Sequence, residues 1–189
     1  KGWGHDKLGN FVEILDSKRV PLSKNEREKR KGKIPYHGAT SIMDHVDDYI
    51  FDEPLTLMGE DGSVTREDGT PFMQYIWGRS WVNNHAHVLK SKSTLSTEAV
   101  YIALLKANVS RFVTGAVQPT INQGNLKEIP LVNPNNELHK EFSQLIDPMF
   151  CKIRIIYEEI QTLQKTRDTL LPKLLSGELD VSELELDLD

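Results

Sequence analysis

A chain of 189 residues with 38% hydrophobic and 27% charged content has room for one folded domain and an appendage, and is neither a disordered nor a membrane-spanning composition. Its apolar runs are only a few residues long, against the roughly 20 that a bilayer crossing needs. The net charge of −5 argues against a nucleic-acid partner until the charges are mapped: residues 1–33 hold ten Lys/Arg against five Asp/Glu, residues 178–189 hold six acids and no base, and the 177 residues before that tail sum to +1. The chain opens on Lys1 rather than Met, as at a boundary or a cut, and no charged-then-apolar leader points to secretion. The single Cys151 forms no internal disulfide, and a reduced cytoplasmic setting is expected.

Phe11 to Leu15, Leu55 to Met58 and Phe72 to Trp77 read as short strands bounded by Gly, Pro or Asp clusters. Gly59-Glu60-Asp61-Gly62 and Glu67-Asp68-Gly69 are turn signals, because Asp-Gly supplies the positive φ of tight turns. Val82 to Leu89 alternates in part and is expected to be a strand. Thr97 to Ala107 is the one clear helix of the first two thirds, with Ser96 as its cap and Val100, Leu104 and Ala107 on one face. Leu126 to Val132 reads as a last strand, placed at an edge by Pro130.

Beyond Pro134 the period changes. Asn135 or Asn136 can cap a helix, and Leu138, Phe142, Leu145 and Met149 follow at spacings of four and three. Ile153, Ile156, Ile160, Leu163, Arg167, Leu170 and Leu174 continue the series, which is the seam of a coiled coil with one polar interruption. Pro148 is expected to kink or restart this helix, and Pro172 to mark its end. From Met149 to Leu175 the helix would run about 40 Å, and its apolar seam calls for a partner.

The basic stretch Lys18, Arg19, Lys24, Arg27, Lys29, Arg30, Lys31 and Lys33 lacks periodic apolar residues and reads as a loop or short exposed helix. Such a stretch suits phosphate contact, or is simply a solvated surface. Gln74, Gln118, Asn122 and Gln123 have the amides that read base edges, although Gln118-Pro119 could instead hold a backbone bend. His85 and His87 are spaced to share one face of a strand. With no Cys or suitably spaced acid beside them in the sequence, they read as structural histidines and no metal is expected. Asn133-Pro134-Asn135-Asn136 lacks the second Pro and the aromatic of a methyltransferase motif. There is no phosphate-binding Gly-x-x-x-x-Gly-Lys string either, so no catalytic residues are assigned.

Several strings, in order, resemble the specificity subunits of type I restriction–modification systems. They are Lys1-Gly2-Trp3 with Lys7-Leu8-Gly9, Ile34-Pro35-Tyr36-His37-Gly38-Ala39, Gly59-Glu60-Asp61-Gly62-Ser63 and Asn83-Asn84-His85-Ala86-His87-Val88. Gln118-Pro119-Thr120-Ile121-Asn122-Gln123, Leu126-Lys127, Ile129-Pro130 and the ending Arg167 to Glu178 complete the set. The resemblance implies an α+β fold: a β-rich target-recognition domain over 1–134, a long coiled-coil-type dimerisation helix over 135–177 and an acidic tail over 178–189. It implies a non-catalytic component that reads one half of a bipartite target in double-stranded DNA. It further implies a partner DNA methyltransferase subunit, which would hold S-adenosylmethionine, and a motor-nuclease restriction subunit. A full subunit of that family holds two recognition domains, so one domain and one helix make either half of a longer subunit or a half that pairs with itself, as a homodimer through Ile153, Ile156, Ile160, Leu163, Leu170 and Leu174. The competing reading is a helical assembly scaffold whose globular domain grips protein.

Overall fold

A computed structural model describes residues 4–133 and 135–180. The opening Lys1-Gly2-Trp3, Pro134 and the acidic tail from residue 181 onward lie outside the described residues. In chain order the elements are β1 (Gly4–Lys7), α1 (Leu8–Phe11), β2 (Val12–Ile14), a 3-10 turn (Asp16–Lys18), α2 (Lys24–Lys29), β3 (Lys31–His37), β4 (Ile42–Val46), β5 (Phe51–Asp52), β6 (Leu55–Gly59), β7 (Met73–Ile76), β8 (Arg79–Val82), β9 (Ala86–Ser91), α3 (Thr97–Leu104), a second 3-10 turn (Ser110–Phe112), α4 (Gln123–Lys127), β10 (Pro130–Asn133) and α5 (Asn136–Leu175). They form the expected β-rich region followed by a long helix. No described helix is long and apolar enough to cross a membrane.

Three sheets organise the first unit, which spans Lys1–Asp147. One is four-stranded in the order β2-β9-β6-β7, one is four-stranded in the order β4-β3-β8-β5, and β1 pairs with β10. β6 lies inside its sheet and is buried along its whole length, which is why it reads as a continuous apolar run. Alternation then sorts its side chains. Leu55 and Leu57 join Phe51, Ile76, Val82 and Val88 in a core fed by both four-stranded sheets. Met58 joins the larger core of Leu8, Phe11, Leu89, Val100, Leu104, Ile121, Leu126 and Ile129. A third cluster, Leu22, Tyr36, Val46 and Trp81, anchors the segment before α2 onto β3 and β8.

Local chemistry explains where the elements depart from expectation. Phe11 is not in a strand: α1 puts Leu8 and Phe11 one turn apart, both buried in the larger core, and β2 begins at Val12. Val82 to Leu89 is two strands, because the Asn83 side chain accepts the His85 N–H at 2.8 Å and turns the chain between β8 and β9. The single strand expected over Leu126 to Val132 is the end of α4 followed by β10. Asn122 caps α4 by accepting the Asn125 N–H at 2.9 Å, and Pro130, with no N–H, starts the strand. α3 is capped by Ser96 as expected but ends at Leu104.

Asn135 caps α5, accepting the Leu138 N–H at 2.8 Å. The first turns of α5 pack on the domain, where Ser143 Oγ accepts the Ser96 N–H at 2.8 Å and Asp147 accepts the Ser96 hydroxyl at 2.5 Å. Pro148 does not end the helix. It stands where the second compact unit begins, and 40 residues continue through both Pro148 and Pro172. The second unit, from Pro148 onward, leaves Ile153, Ile156, Ile160, Leu163, Leu170 and Leu174 between 38% and 61% exposed.

Candidate nucleic-acid interface

Residues 18–33 are built as a bracket on the β3–β4 sheet. A reciprocal capping box starts α2: Ser23 Oγ accepts the Glu26 N–H, and Glu26 accepts the Ser23 N–H. Without an apolar face of its own, α2 is held by its arginines. Arg27 donates to Asp44 at 3.1 Å and to the Leu22 carbonyl at 2.7 Å, with its guanidinium 5.2 Å from the Tyr36 ring centroid. Arg30 donates to Asp47 at 3.0 Å and stacks 4.7 Å from the Trp81 ring. Lys31 donates to Asp44 at 2.9 Å, and that bond, the His45 N–H and Arg27 hold the Asp44 carboxyl at a pKa of about 2.

The eight cations therefore divide. Arg27, Arg30 and Lys31 are paired with β4 and the segment after it. Arg19 is not a surface cation: its side chain is 10% exposed and donates to Glu60, to the Ala86 carbonyl at 2.6 Å and to the Asp16 carbonyl at 3.1 Å. Lys18, Lys24, Lys29 and Lys33 are exposed and make no ion pair with any described residue. These four are the charge left over for a polyanion.

The candidate base-reading amides divide in the same way. Gln74 bridges the two four-stranded sheets, donating to the Gly38 carbonyl at 2.8 Å with its oxygen 3.2 Å from His37 Nδ1. Burial lowers the pKa of that histidine, which favours its neutral form. Gln123 donates to Asp16 at 2.8 Å. Asn122 spends its side-chain oxygen on the α4 cap. Gln118 is exposed on a tight loop closed by two Thr114–Thr120 backbone bonds of 2.8 Å, where Gly115 takes φ +86° and the Pro119 carbonyl accepts the Gly62 N–H. Its backbone makes the bend while its side chain stays free to touch a ligand.

The strings Asn83 to Val88 and Gln118 to Gln123 converge on one buried network. His87 is fully buried, with Nδ1 2.6 Å from Asp16 and Nε2 2.7 Å from the Ile121 carbonyl. Both partners are acceptors, so both ring nitrogens donate and His87 is an imidazolium. Burial opposes that charge, but the Asp16 bond and charge outweigh it and raise the His87 pKa. Burial likewise opposes the Asp16 carboxylate, which His87, the Val88 N–H and Arg19 nevertheless hold below its ordinary pKa. Asp16, Glu60 and His87 lie close enough to suggest a metal site. However, Arg19 and protonated His87 already occupy the two carboxylates, so the arrangement is a neutral structural network. Asp16 and Glu60 are distant from His87 in the chain and are brought to it by β9, the first 3-10 turn and the end of β6. His85 lies apart from His87, exposed and 2.6 Å from Asp61.

Comparison with known proteins places this architecture. The chain is 30% identical over 142 residues to a type I restriction enzyme specificity subunit of Haemophilus influenzae, covering 75% of this chain and 36% of that protein. It is 25% identical over 201 aligned positions to the MjaIX type I restriction enzyme specificity subunit of Methanocaldococcus jannaschii, covering 97% and 46%. The crystal structure of a type I restriction–modification S subunit from M. genitalium superposes with a TM-score of 0.62 at 17% identity, over 93% of this chain and 46% of that one. The chain spans less than half the length of each of these proteins. A family model described as the type I restriction modification DNA specificity domain matches residues 1–165, and the chain belongs to that family.

Proposed function

We propose that this chain reads sequence in double-stranded DNA, contributing one half of a bipartite target and placing a DNA methyltransferase subunit there. The observation that carries the reading is the set Lys18, Lys24, Lys29 and Lys33, exposed and unpaired among the described residues on a member of the DNA specificity domain family. Each phosphate that such a lysine neutralises releases counterions, which supplies affinity without sequence information. Gln118 and the amide of Asn122 are the exposed groups on offer for base edges. The chain is a non-catalytic, cytoplasmic component. Methyl transfer and S-adenosylmethionine belong to the partner methyltransferase, and cleavage to a motor-nuclease subunit.

The second half of the target is read by a second copy, joined through α5. From Met149 to Leu174 the steps alternate four and three, and every seam residue except Arg167 is apolar. A parallel pair in register would set Arg167 against the partner's Arg167. An antiparallel pair lets the seam close with Met149 against the partner's Leu174, Ile153 against the partner's Leu170, Ile156 against the partner's Arg167 and Ile160 against the partner's Leu163. Two-fold symmetry then makes the target a gapped palindrome.

Selection of bound duplexes from a random pool tests both statements. Enrichment of a gapped palindrome is expected. A pool that stays random after repeated rounds would sink DNA readout, and an asymmetric or single half-site would sink the symmetric pairing.

A further inference from the structure

Three backbone segments of the first unit meet beside the exposed loop that carries Gln118. Glu60, just after β6, donates its N–H to the His85 carbonyl at 2.9 Å and accepts the Ile121 N–H at 2.9 Å, while the Gly62 N–H reaches the Pro119 carbonyl at 3.0 Å. Asp61 and Thr120 form an isolated antiparallel bridge between the same segments. These bonds hold His85 and Asp61 next to the loop closed by Thr114 and Thr120. His85 differs there from the buried His87 two residues on. Its side chain is 47% exposed, yet Nδ1 lies 2.6 Å from Oδ1 of the more buried Asp61. A solvated imidazole interchanges its tautomers, and Asp61 removes that freedom. A carboxylate only accepts, so the ring proton sits on Nδ1, and in the neutral ring Nε2 presents a lone pair. Nε2 has no hydrogen-bond partner among the described residues.

We propose that His85 is a specificity-determining residue of this chain, accepting through Nε2 a hydrogen bond from the exocyclic amino group of adenine or cytosine. Those are the two bases that offer an N–H donor in the major groove. Guanine N7 and O6 and thymine O4 would instead set acceptor against acceptor, so the same lone pair that selects two bases rejects the other two. Asp61 acts as the positioning residue: it fixes the tautomer and orients the ring without touching the base. His85 thus joins Gln118, on the adjoining loop, as a side chain for base edges, and the inference rests on the DNA readout proposed above.

The test uses the full chain, at mildly alkaline pH, with the duplex selected from a random pool. Each adenine is replaced in turn by N6-methyladenine and each cytosine by N4-methylcytosine, which keep the base pair but put a methyl group where the major-groove N–H was. At one base pair of each half-site the methyl group should raise Kd about tenfold or more, and the base on which this falls distinguishes adenine from cytosine. His85→Ala leaves the backbone bonds around it in place. It should bind the unmodified duplex about tenfold more weakly, ignore the methyl group at that position and keep the parental salt slope. Asp61→Ala should lose part of the discrimination at that position and none elsewhere. Circular dichroism checks that both variants fold, and the methyl scan of the parent needs no variant. A selected duplex with no methyl-sensitive position, or a His85→Ala chain that discriminates as the parent does, overturns the assignment and leaves DNA readout standing. Equal weakening on all sequences with a flatter salt slope would make His85 a phosphate contact and also overturn it. A parent that enriches no sequence removes DNA readout and the His85 assignment together.

Discussion

Replacing Lys18, Lys24, Lys29 and Lys33 together with Ala tests whether the free cations of the bracket hold DNA. The four were chosen by subtraction: among the eight cations of the stretch, they alone are exposed without an ion pair to a described residue. None contributes to a core cluster, so the variant should unfold like the parent. If each lysine neutralises one phosphate, the slope of log affinity against log salt flattens by about 3.6. The parent's loss of affinity between 50 and 200 mM salt would then exceed the variant's by about 150-fold. Binding to random and to selected duplexes should weaken alike, because phosphate contacts carry no sequence information. Fluorescence anisotropy at four salt concentrations measures the slope, and circular dichroism checks the fold. A folded variant with the parental slope would refute the assignment and move the DNA surface elsewhere. Replacing Arg30 and Lys31 instead should change the slope less, because their charge is already matched by Asp44, Asp47 and Asp48.

Asp16→Ala should cost about 3–5 kcal/mol, because it strands a fully buried imidazolium, and should lower Tm by roughly 10 °C. A loss under about 1 kcal/mol in urea titration would show that the network is not charged as described. The same network sets a pH window. The raised His87 pKa contributes stability that is complete below the ordinary value of 6.5 and disappears as pH climbs through the folded value, while the lowered Asp16 pKa contributes stability that is complete above 3.8 and disappears as pH falls through its folded value. Denaturation profiles of the parent should therefore show this contribution whole between pH 4 and 6.5, and His87→Gln should flatten the alkaline limb. Ile156→Asp with Ile160→Asp removes two seam side chains worth about 1.5–3 kcal/mol each and should yield monomers with a folded domain by sedimentation and circular dichroism. A parent that is itself monomeric at tens of micromolar would assign the second helix to a longer subunit. The purified chain should neither methylate nor cleave DNA, and sequence-specific methylation should require a methyltransferase subunit with S-adenosylmethionine. Methyl transfer by the chain alone would contradict the absence of a methyltransferase motif.

Features governed by neighbours in the chain were legible in the sequence. Ser96 caps α3, Asn135 caps α5, Gly62 and Gly69 take the positive φ that their Asp-Gly turns require, and the four-and-three period of α5 survives Pro148. Each depends on contacts within about four residues, where spacing alone decides the outcome. The ordered strings likewise identified the family without any knowledge of what they touch. Short elements were read less well. At Phe11 and Leu126 a few apolar residues fit a strand or a single helical turn equally, and burial in the shared core chose the turn. The site was decided almost wholly by tertiary structure, because whether a charge is free depends on partners far away in the chain. Arg19 is cancelled by Glu60 at 41 residues' distance, Asp16 meets His87 at 71 and Gln123 at 107. Eight cations look alike in the sequence, and only the fold separates the four that hold the protein together from the four left for a ligand.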